Sequence, residues 1–184
     1  MRIRSTSTLF ALVALLILFG VSRAPLTAQT HPPAADPADV ESLDAIMAAV
    51  YDVISGGKGV ERDWDRFRSL FAPGARLIPV GQRAQGAPPE AMAWTPDEYI
   101  ERAGVQLMAG GFFEDEIGRT VEAYGGVVHA FSAYQSKRTP DGEVFARGIN
   151  SFQLLNDGTR WWVVSIYWQG ETPDNVIPEK YIGR

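Results

Sequence analysis

The sequence predicts a single α+β domain in which helices from the N-terminal half cover an antiparallel sheet from the C-terminal half. The strongest indication is the stretch from Gly125 to Glu171, where three runs of aromatic and β-branched residues are separated by two turn signals. These turns are Thr139–Gly142 and Asn156–Thr159, and we expect the glycine of each at positive φ. The other indication is the helical spacing of apolar residues between Val40 and Ile54. Helices followed by a β-meander define the α+β class.

Two helices are predicted before residue 75. The first follows the start signal at Asp36 and Pro37, continues through apolar residues spaced three or four apart, and ends at Gly56 and Gly57. The second starts near Asp63, places Trp64, Phe67 and Phe71 on one side, and ends at the Pro73-Gly74 pair. One face of each helix is therefore expected in the core.

A third helix has the most complete start signal in the chain. Thr95 stands at the cap, Pro96 at the first helical position, and Glu98 at the position that completes a capping box. The pair Gly110-Gly111 is expected to end this helix.

The predicted strands lie on either side of the third helix. A short strand is expected over residues 76–80, followed by a glycine- and proline-bearing loop over residues 81–89. A long strand is expected over residues 114–124, and Gly125-Gly126 turns it into the meander.

The N-terminus is typical of a secretory signal peptide. Arg2 and Arg4 precede an apolar run from Leu9 to Val21, which at about 20 Å as a helix is short for a bilayer core of roughly 30 Å. We expect cleavage after Ala28 and export to the periplasm or the extracellular space, with no stable membrane anchor left on the mature chain. The expected organisation is a signal peptide over residues 1–28, a proline-rich tether over 29–39, and one domain over 40–184.

Composition narrows the possible functions. The chain has 184 residues, no cysteine and a formal net charge of −5, and three of its 17 basic residues precede Gln29. An acidic mature domain argues against nucleic-acid binding, which needs a basic surface. The absence of cysteine excludes disulfides and thiol chemistry. His31 lies in the tether and His129 is the single histidine of the domain, so we expect no histidine-based metal site and no cofactor.

The order of elements resembles the nuclear transport factor 2-like superfamily, which includes SnoaL-like polyketide cyclases, ketosteroid isomerases and scytalone dehydratase. The resemblance covers residues Val40 to Glu171 and is carried by Leu70–Ala75 at the end of the second helix and by the turn with its tryptophans at Asp157–Trp162. It implies a cone, in which three N-terminal helices close a strongly curved antiparallel sheet around a pocket. Members range from enzymes to binding modules, so the fold alone does not give the function.

The same resemblance indicates candidate site residues. Asn150 aligns with the acidic oxyanion-hole residue of ketosteroid isomerases and lies near a pocket asparagine of scytalone dehydratase, and His129 or Gln135 would face the cavity. The isomerase base aligns instead with Ile78 or Pro79, and the histidines of the dehydratase align near Asp115 and Gln135, so both known catalytic sets are largely absent. The best candidates for chemistry are His129 or Asp115 as general base and Asn150 as hydrogen-bond donor. The expected ligand-binding side chains are Tyr51, Trp64, Phe67, Phe131, Gln135, Phe152 and Trp168.

Strand alternation separates two faces without showing which one is inside. His129, Phe131 and Gln135 share one face of their strand, and Ser132 and Tyr134 share the other. Because the Thr139–Gly142 turn pairs this strand with the next, we predict that His129 and Asn150 line the same cavity. Residues 114–116 are all acidic, but alternation prevents them from converging on a cation, so a solvated acidic edge is expected.

Three classes of function remain open from the sequence. The first is a protein that holds a small apolar or aromatic molecule in the cone, supported by an aromatic content of 11%. The second is a cofactor-independent lyase or isomerase that uses His129, Asp115 and Asn150. The third is a protein-binding or homodimer surface on the open face of the sheet, where Tyr134, Phe145 and Ile149 are the outward candidates.

Overall fold

The computed structural model describes residues 31–81 and 86–183, and this part of the chain contains four α-helices and six strands. The helices are α1 (Pro37–Val40), α2 (Leu43–Ile54), α3 (Trp64–Ser69) and α4 (Pro96–Gly110). The strands are β1 (Phe71–Gly81), β2 (Glu90–Ala91), β3 (Phe113–Tyr124), β4 (Val127–Lys137), β5 (Val144–Asn156) and β6 (Trp161–Gly170). A turn of 3₁₀ helix over Glu179–Tyr181 follows β6. The predicted signal peptide lies outside the described residues.

The first predicted helix is two helices, each with its own cap. The Asp36 side chain accepts from the backbone N–H of Ala38 at the start of α1, and Ser42 accepts from the N–H of Ala45 at the start of α2. Ser42 has an extended backbone, φ −144° and ψ 165°, because a serine side chain that caps a helix holds its own residue outside that helix. Helix α1 overlaps the tether predicted over residues 29–39.

Helix α3 is shorter than predicted, and the strand after it is longer. The helix ends at Ser69, and β1 already begins at Phe71 and runs to Gly81, instead of occupying only residues 76–80. The pairing of β1 with its neighbour shifts between Phe71 and Arg76, and Gly74 within that irregularity has φ 82°. A bulge accommodates the Pro73-Gly74 pair that was expected to precede the strand. Of the loop predicted over residues 81–89, residues 82–85 lie outside the described part.

The start of α4 is the predicted capping box. Thr95 Oγ1 accepts from the Glu98 N–H, and the Glu98 carboxylate accepts from the Thr95 N–H at 2.7 Å. The helix ends at Gly110 and is followed by Gly111 at φ 69°.

The sheet has the order β2-β1-β6-β5-β4-β3 and is curved and open. Strands β3 to β6 form the predicted antiparallel meander, but β1 pairs with β6 in parallel, so the expectation of a fully antiparallel sheet was wrong at this pair. Parallel neighbours require a long connection, and α4 together with four strands, β2 to β5, supplies it. Of the two turn glycines, Gly158 has φ 88° as predicted, whereas Gly142 is not at positive φ. A Cβ at Gly142 would instead lie 2.6 Å from Thr139 Oγ1.

The pairing within the meander shifts at three places, and the bulges on β5 and β6 decide which of the predicted site residues face inward. On β5, Val144 pairs with Lys137 and Ala146 pairs with Ser136, so Phe145 is an extra residue. On β6, Val163 pairs with Leu154 and Ser165 pairs with Gln153, so Val164 is extra. Each bulge reverses the faces of the residues beyond it, because side chains alternate with a period of two.

The core lies between the concave face of the sheet and helices α2, α3 and α4. Its fully buried members include Ile46, Met47, Phe67, Phe71, Phe152 and Val163. Arg62 is also buried, and its guanidinium donates to the carbonyls of Ile54, Gly56 and Leu107, which fixes the C-terminal end of α2 to that of α4. Among the described residues, no helix is long and apolar enough to cross a membrane.

The outer face of the sheet carries the end of the chain. Residues 171–183, here called the C-terminal segment, run over β4 and β3, where the Tyr181 ring lies 5.0 Å from that of Phe131 and the Gly183 N–H donates to the Ile117 carbonyl. Ile177 in this segment is buried. The sheet is therefore covered by helices on one face and in part by the C-terminal segment on the other.

Candidate functional site

A cavity of about 220 Å³ lies inside the cone, between the concave face of the sheet and helices α2 to α4. Its walls are mostly apolar and aromatic, and they include Val50, Ile54, Phe67, Leu77, Tyr99, Phe112, Phe145, Phe152, Ile166 and Trp168. Glu114, Tyr134, Ser136 and Asn150 form the polar part of the lining. A concave, mostly apolar space with a few convergent polar groups is the usual form of a small-molecule site.

The register of three strands brings the polar lining together. Glu114 of β3 pairs with Ser136 of β4, so their side chains share the concave face. Asn150 of β5 pairs with Ser132 of β4, two residues from Tyr134 on the same face. The polar residues therefore form one patch on the wall, opposite the aromatic residues of α3 and α4.

Glu114 is the centre of this patch. Its carboxylate accepts a hydrogen bond from Ser136 Oγ at 3.0 Å and a long one from Asn150 Nδ2 at 3.5 Å. Asn150 Nδ2 also donates to the Tyr51 hydroxyl at 3.1 Å. The Glu114 backbone N–H donates to Ser55 Oγ, which anchors the start of β3 to the end of α2. The carboxyl group thus has a fixed position at the cavity wall.

The surroundings of Glu114 change its acidity. Burial of the carboxyl group raises its pKa to about 7, the Ser136 and Asn150 donors pull that pKa down, and the nearby Asp115 charge pushes it up. The residue keeps partial solvent exposure even though protein atoms enclose its carboxyl group, because the cavity beside it is open to water. A carboxyl group with this pKa both gives and takes protons near neutral pH.

Two tyrosines in the cavity are available as hydrogen-bond donors. Burial raises the pKa of Tyr99 and of Tyr134, and the Glu114 charge raises both pKa values further. Both phenols therefore stay neutral across the physiological range, so each keeps an O–H group at the cavity.

Several side chains predicted for the site do line this cavity. Asn150, Phe67, Phe152 and Trp168 are part of its lining. Trp168 faces inward because of the bulge at Val164. This bulge places Trp168 and Trp162 on opposite faces of the sheet. Tyr51 is buried behind the wall, and its hydroxyl group contacts Asn150 and Ser132.

His129 is not part of the cavity, and the prediction that it shares a cavity with Asn150 was wrong. It pairs with Gln153 on the outer face, where its Nε2 lies 2.9 Å from Ser151 Oγ. Next to the turn, Lys137 pairs with Val144. If that register continued along both strands without a bulge, His129 would lie on the same face as Asn150. The bulge at Phe145 moves it to the opposite face. Phe131 and Gln135 share this outer position, so neither contributes to the cavity.

The other predicted residues are also displaced. Asp115 is exposed and pairs with Lys137 at 2.9 Å, on the face opposite Glu114. Trp64 packs edge-on against Phe67 and close to Gly104, and it is not among the residues that line the cavity. Tyr134 was predicted to face outward and faces the cavity instead.

Glu114, Ser136 and Tyr134 were missed as site residues. One signal for them was present: the strand face that carries Val128, Ala130, Ser132, Tyr134 and Ser136 has no charged residue, which is typical of a buried face. Glu114 was missed because residues 114–116 were expected to form a solvated acidic edge. In the structure only alternate side chains of this stretch face solvent. Within residues 31–81 and 86–183, no three histidine or carboxylate side chains cluster in a way that could hold a metal ion.

A second groove, of about 360 Å³, lies between the outer face of the sheet and the C-terminal segment. Its lining includes Phe131, Ile149, Tyr167, Ile177 and Tyr181. Of these two, we regard the inner cavity as the better candidate although it is smaller, because its wall contains the polar patch of Glu114, Ser136 and Asn150.

Solved structures of other proteins share this fold. Two are proteins of unknown function with a cystatin-like fold: one from Nostoc punctiforme has a TM-score of 0.54 at 9% identity over 71% of this chain and 90% of that chain. The other, from Caulobacter vibrioides, has a TM-score of 0.53 at 15% identity over 73% and 90%. The β subunit of a candidate aromatic-ring-hydroxylating dioxygenase from Novosphingobium aromaticivorans has a TM-score of 0.51 at 19% identity over 72% and 88%.

These similarities define the class of fold. The chain has the nuclear transport factor 2-like fold, as the order of its elements predicted. No protein-family model matches the sequence, and no curated protein matches it. Identities below 20% carry the fold to this chain and not an activity.

Proposed function

We propose that the protein binds a small, largely apolar molecule inside the cone and holds one polar group of that molecule against Glu114 and Asn150. The observation that carries this proposal is the apolar cavity whose wall contains the patch of Glu114, Ser136 and Asn150. Aromatic walls supply affinity for apolar surface, and a few fixed polar groups supply orientation.

The volume of the cavity limits the size of the ligand. An apolar cavity of about 150 Å³ holds one benzene molecule, so 220 Å³ fits a substituted single ring or a molecule of similar bulk. Burial of roughly 150 to 200 Å² of apolar ligand surface contributes about 4 to 5 kcal/mol, which alone corresponds to binding near the millimolar range. The polar patch must therefore supply much of the affinity and most of the specificity.

The patch accepts two kinds of polar group. A ligand hydroxyl can donate to ionised Glu114, and a ligand carbonyl can accept from Glu114 once it is protonated. Tyr99 and Tyr134 present further O–H donors at the same cavity. A phenol or a cyclic ketone has the chemistry that this arrangement recognises.

The acidity of Glu114 favours a second candidate function, cofactor-independent proton transfer. Because its pKa is about 7, Glu114 is able to remove a proton from a carbon next to a ligand carbonyl and return it to another carbon of the same molecule. Tyr99 and Tyr134 would donate to the oxygen that gains charge. This is an isomerase reaction, in which the proton removed is the proton returned.

Two variants of the same strand test where the ligand binds. Ala146 lines the inner cavity and Ser151 lines the outer groove, so Ala146→Phe fills the first and Ser151→Phe fills the second. Titration with phenols and cyclic ketones, followed by Trp168 fluorescence and calorimetry, is expected to show binding by the wild type and by Ser151→Phe, and at least a tenfold loss in Ala146→Phe. Circular dichroism confirms that each variant is folded. If only Ser151→Phe loses binding, the outer groove is the site and the proposal is wrong.

We also propose that the protein is exported after cleavage near Ala28. The support is the sequence pattern of Arg2 and Arg4 before the apolar run Leu9 to Val21. Intact-mass measurement of the protein from the culture medium and the periplasm is expected to give a chain that begins near Gln29. A full-length cytoplasmic product would contradict the proposal.

A further inference from the structure

A chain of hydrogen bonds connects the cavity to the edge of the sheet. From the cavity outward it runs from Glu114 to Asn150, Tyr51, Ser132 and Glu116. Asn150, Tyr51 and Ser132 are buried, while the Glu116 side chain is 25% exposed. The chain crosses from β3 through β5 and α2 to β4 and returns to β3, two residues from where it started.

The charge of Glu116 gives this chain a direction. A carboxylate only accepts hydrogen bonds, so Ser132 uses its single proton to donate to Glu116. Ser132 Oγ then accepts from the Tyr51 hydroxyl, 2.7 Å away, because it has no second proton to donate. With its own proton committed to Ser132, the Tyr51 oxygen accepts, and the group that donates to it is Asn150 Nδ2 at 3.1 Å.

The direction of the chain determines which end of the Asn150 amide faces Glu114. Nδ2 carries two protons, and while one is donated to Tyr51 the other points toward the Glu114 carboxylate at 3.5 Å. That second contact is long, so it is the bond to Tyr51 that orients the amide. Were the chain reversed, Tyr51 would donate to the amide oxygen, and the amide would lose the N–H that it presents to Glu114.

We propose that Glu116 is a positioning residue for the cavity: its carboxylate directs the hydrogen bonds of Ser132 and Tyr51, so that Asn150 presents an amide N–H to Glu114. The proposal deepens the proposed function, since it rests on Glu114 being the group that meets the ligand. Glu116 itself does not line the cavity and acts only through the chain.

The charged and titratable groups around the two carboxylates are few. Glu114 is faced by Asp115 on its own strand, Tyr51 on α2, Tyr99 on α4 and Tyr134 on β4. Glu116 is faced by Arg119, whose Nε lies 3.6 Å away and which also pairs with Asp44 of α2. Within the described part of the chain, no cation is among the groups that shift the pKa of Glu114, so its ionised form depends on the Ser136 and Asn150 donors.

Substitution of Glu116 separates positioning from simple electrostatics, because the two predict opposite changes. Loss of a nearby negative charge alone would lower the pKa of Glu114. Loss of the Asn150 donor would raise it, by about half a unit or more for one hydrogen bond. A glutamine would keep an acceptor oxygen for Ser132, so the test uses Glu116→Leu, which removes the acceptor, and we expect Glu116→Leu to raise the pKa of Glu114. The matched control Asp115→Asn removes a charge from the opposite face of the same strand and is expected to lower it.

The experiment is a carboxyl ¹³C NMR titration of the ligand-free protein, with the Glu114 signal assigned from Glu114→Gln. The expected results are a raised pKa in Glu116→Leu, a raised pKa in Asn150→Ala, and no further rise when Glu116→Leu is added to Asn150→Ala. A lowered or unchanged Glu114 pKa in Glu116→Leu, or a full additional rise in the double variant, would overturn the proposal. Because no ligand is present, this result is independent of whether Ala146→Phe blocks binding.

Discussion

At the scale of single residues, Glu114 contributes its own pH dependence to folding stability. Its pKa in the folded protein is about 7, above the 4.5 of a free glutamate, so the folded state holds this proton more tightly than the unfolded state. Between these two pH values, the unfolded state loses its proton first, and folding stability falls as the pH rises. The cost of ionising Glu114 is fully present above pH 7.

We predict that Glu114→Gln removes this pH dependence. The variant is expected to gain stability over the wild type on going from pH 5 to pH 8, by an amount on the order of 2 to 3 kcal/mol and less where water in the cavity screens the charge. Urea unfolding at both pH values measures the gain. The neighbouring variant Asp115→Asn is the control and should keep most of the wild-type dependence of stability on pH. If Glu114→Gln showed the same dependence on pH as the wild type, the carboxyl group would ionise freely in the folded state.

The same scale shows what the sequence could reveal about the site. Asn150, Phe67, Phe152 and Trp168 line the inner cavity, and their role in binding a ligand stays a prediction. His129 attracted attention because imidazole titrates near neutral pH, whereas a glutamate has an unremarkable pKa until burial raises it. Glu114 is a functional candidate only because of its surroundings, and those surroundings come from four different elements.

At the scale of elements, the bulges at Phe145 and Val164 limited how well the sequence could predict which strand residues face the cavity. The helix caps were predictable because a cap is set by neighbours in sequence, as with Thr95 and Glu98. The face of a strand residue is set by register, and an extra residue such as Phe145 or Val164 reverses that face without a local signal. The parallel pairing of β1 with β6 was missed for a related reason, since it joins segments far apart in the chain.

Arg62 is the element-scale feature with the clearest energetic consequence. Its planar guanidinium reaches the carbonyls at the ends of α2 and α4 together, and a Cβ at Gly56 would lie 2.6 Å from its Nη1. A lysine has its three N–H groups on one atom and cannot reach carbonyls that surround a planar fork. Arg62→Lys would leave at least one buried carbonyl without a donor.

We predict that Arg62→Lys destabilises the fold by about 2 kcal/mol. Arg102→Lys is the matched control, because Arg102 is exposed on α4, and its replacement should change stability by less than about 0.5 kcal/mol. Thermal and urea unfolding of the three proteins give the comparison. Equal stability of Arg62→Lys and the wild type would mean that water satisfies these carbonyls.

At the scale of the whole molecule, the two faces of the sheet have different covers. Helices close the concave face and leave the cavity, while the C-terminal segment covers part of the outer face. The homodimer predicted from the sequence would use that outer face. There, Ile149 and Phe131 line the groove beside the C-terminal segment, and Tyr167 keeps 47% of its surface exposed. The contact between Tyr181 and Phe131 occupies area that a second subunit would otherwise bury.

We therefore predict that a chain ending at Gly170 self-associates, whereas the full chain does not do so through this face. Removal of residues 171–184 exposes Phe131, Ile149 and the surface under Ile177, and a contiguous apolar patch of this kind favours association in water. Light scattering coupled to size exclusion is expected to give at least twice the monomer mass for the truncated chain. The full-length variant Val176→Ser, which changes an exposed residue of the segment, serves as the control and should keep the wild-type mass. If the truncated chain stays monomeric at the same concentration, the polar residues of the outer face are sufficient to prevent self-association, and the prediction is wrong.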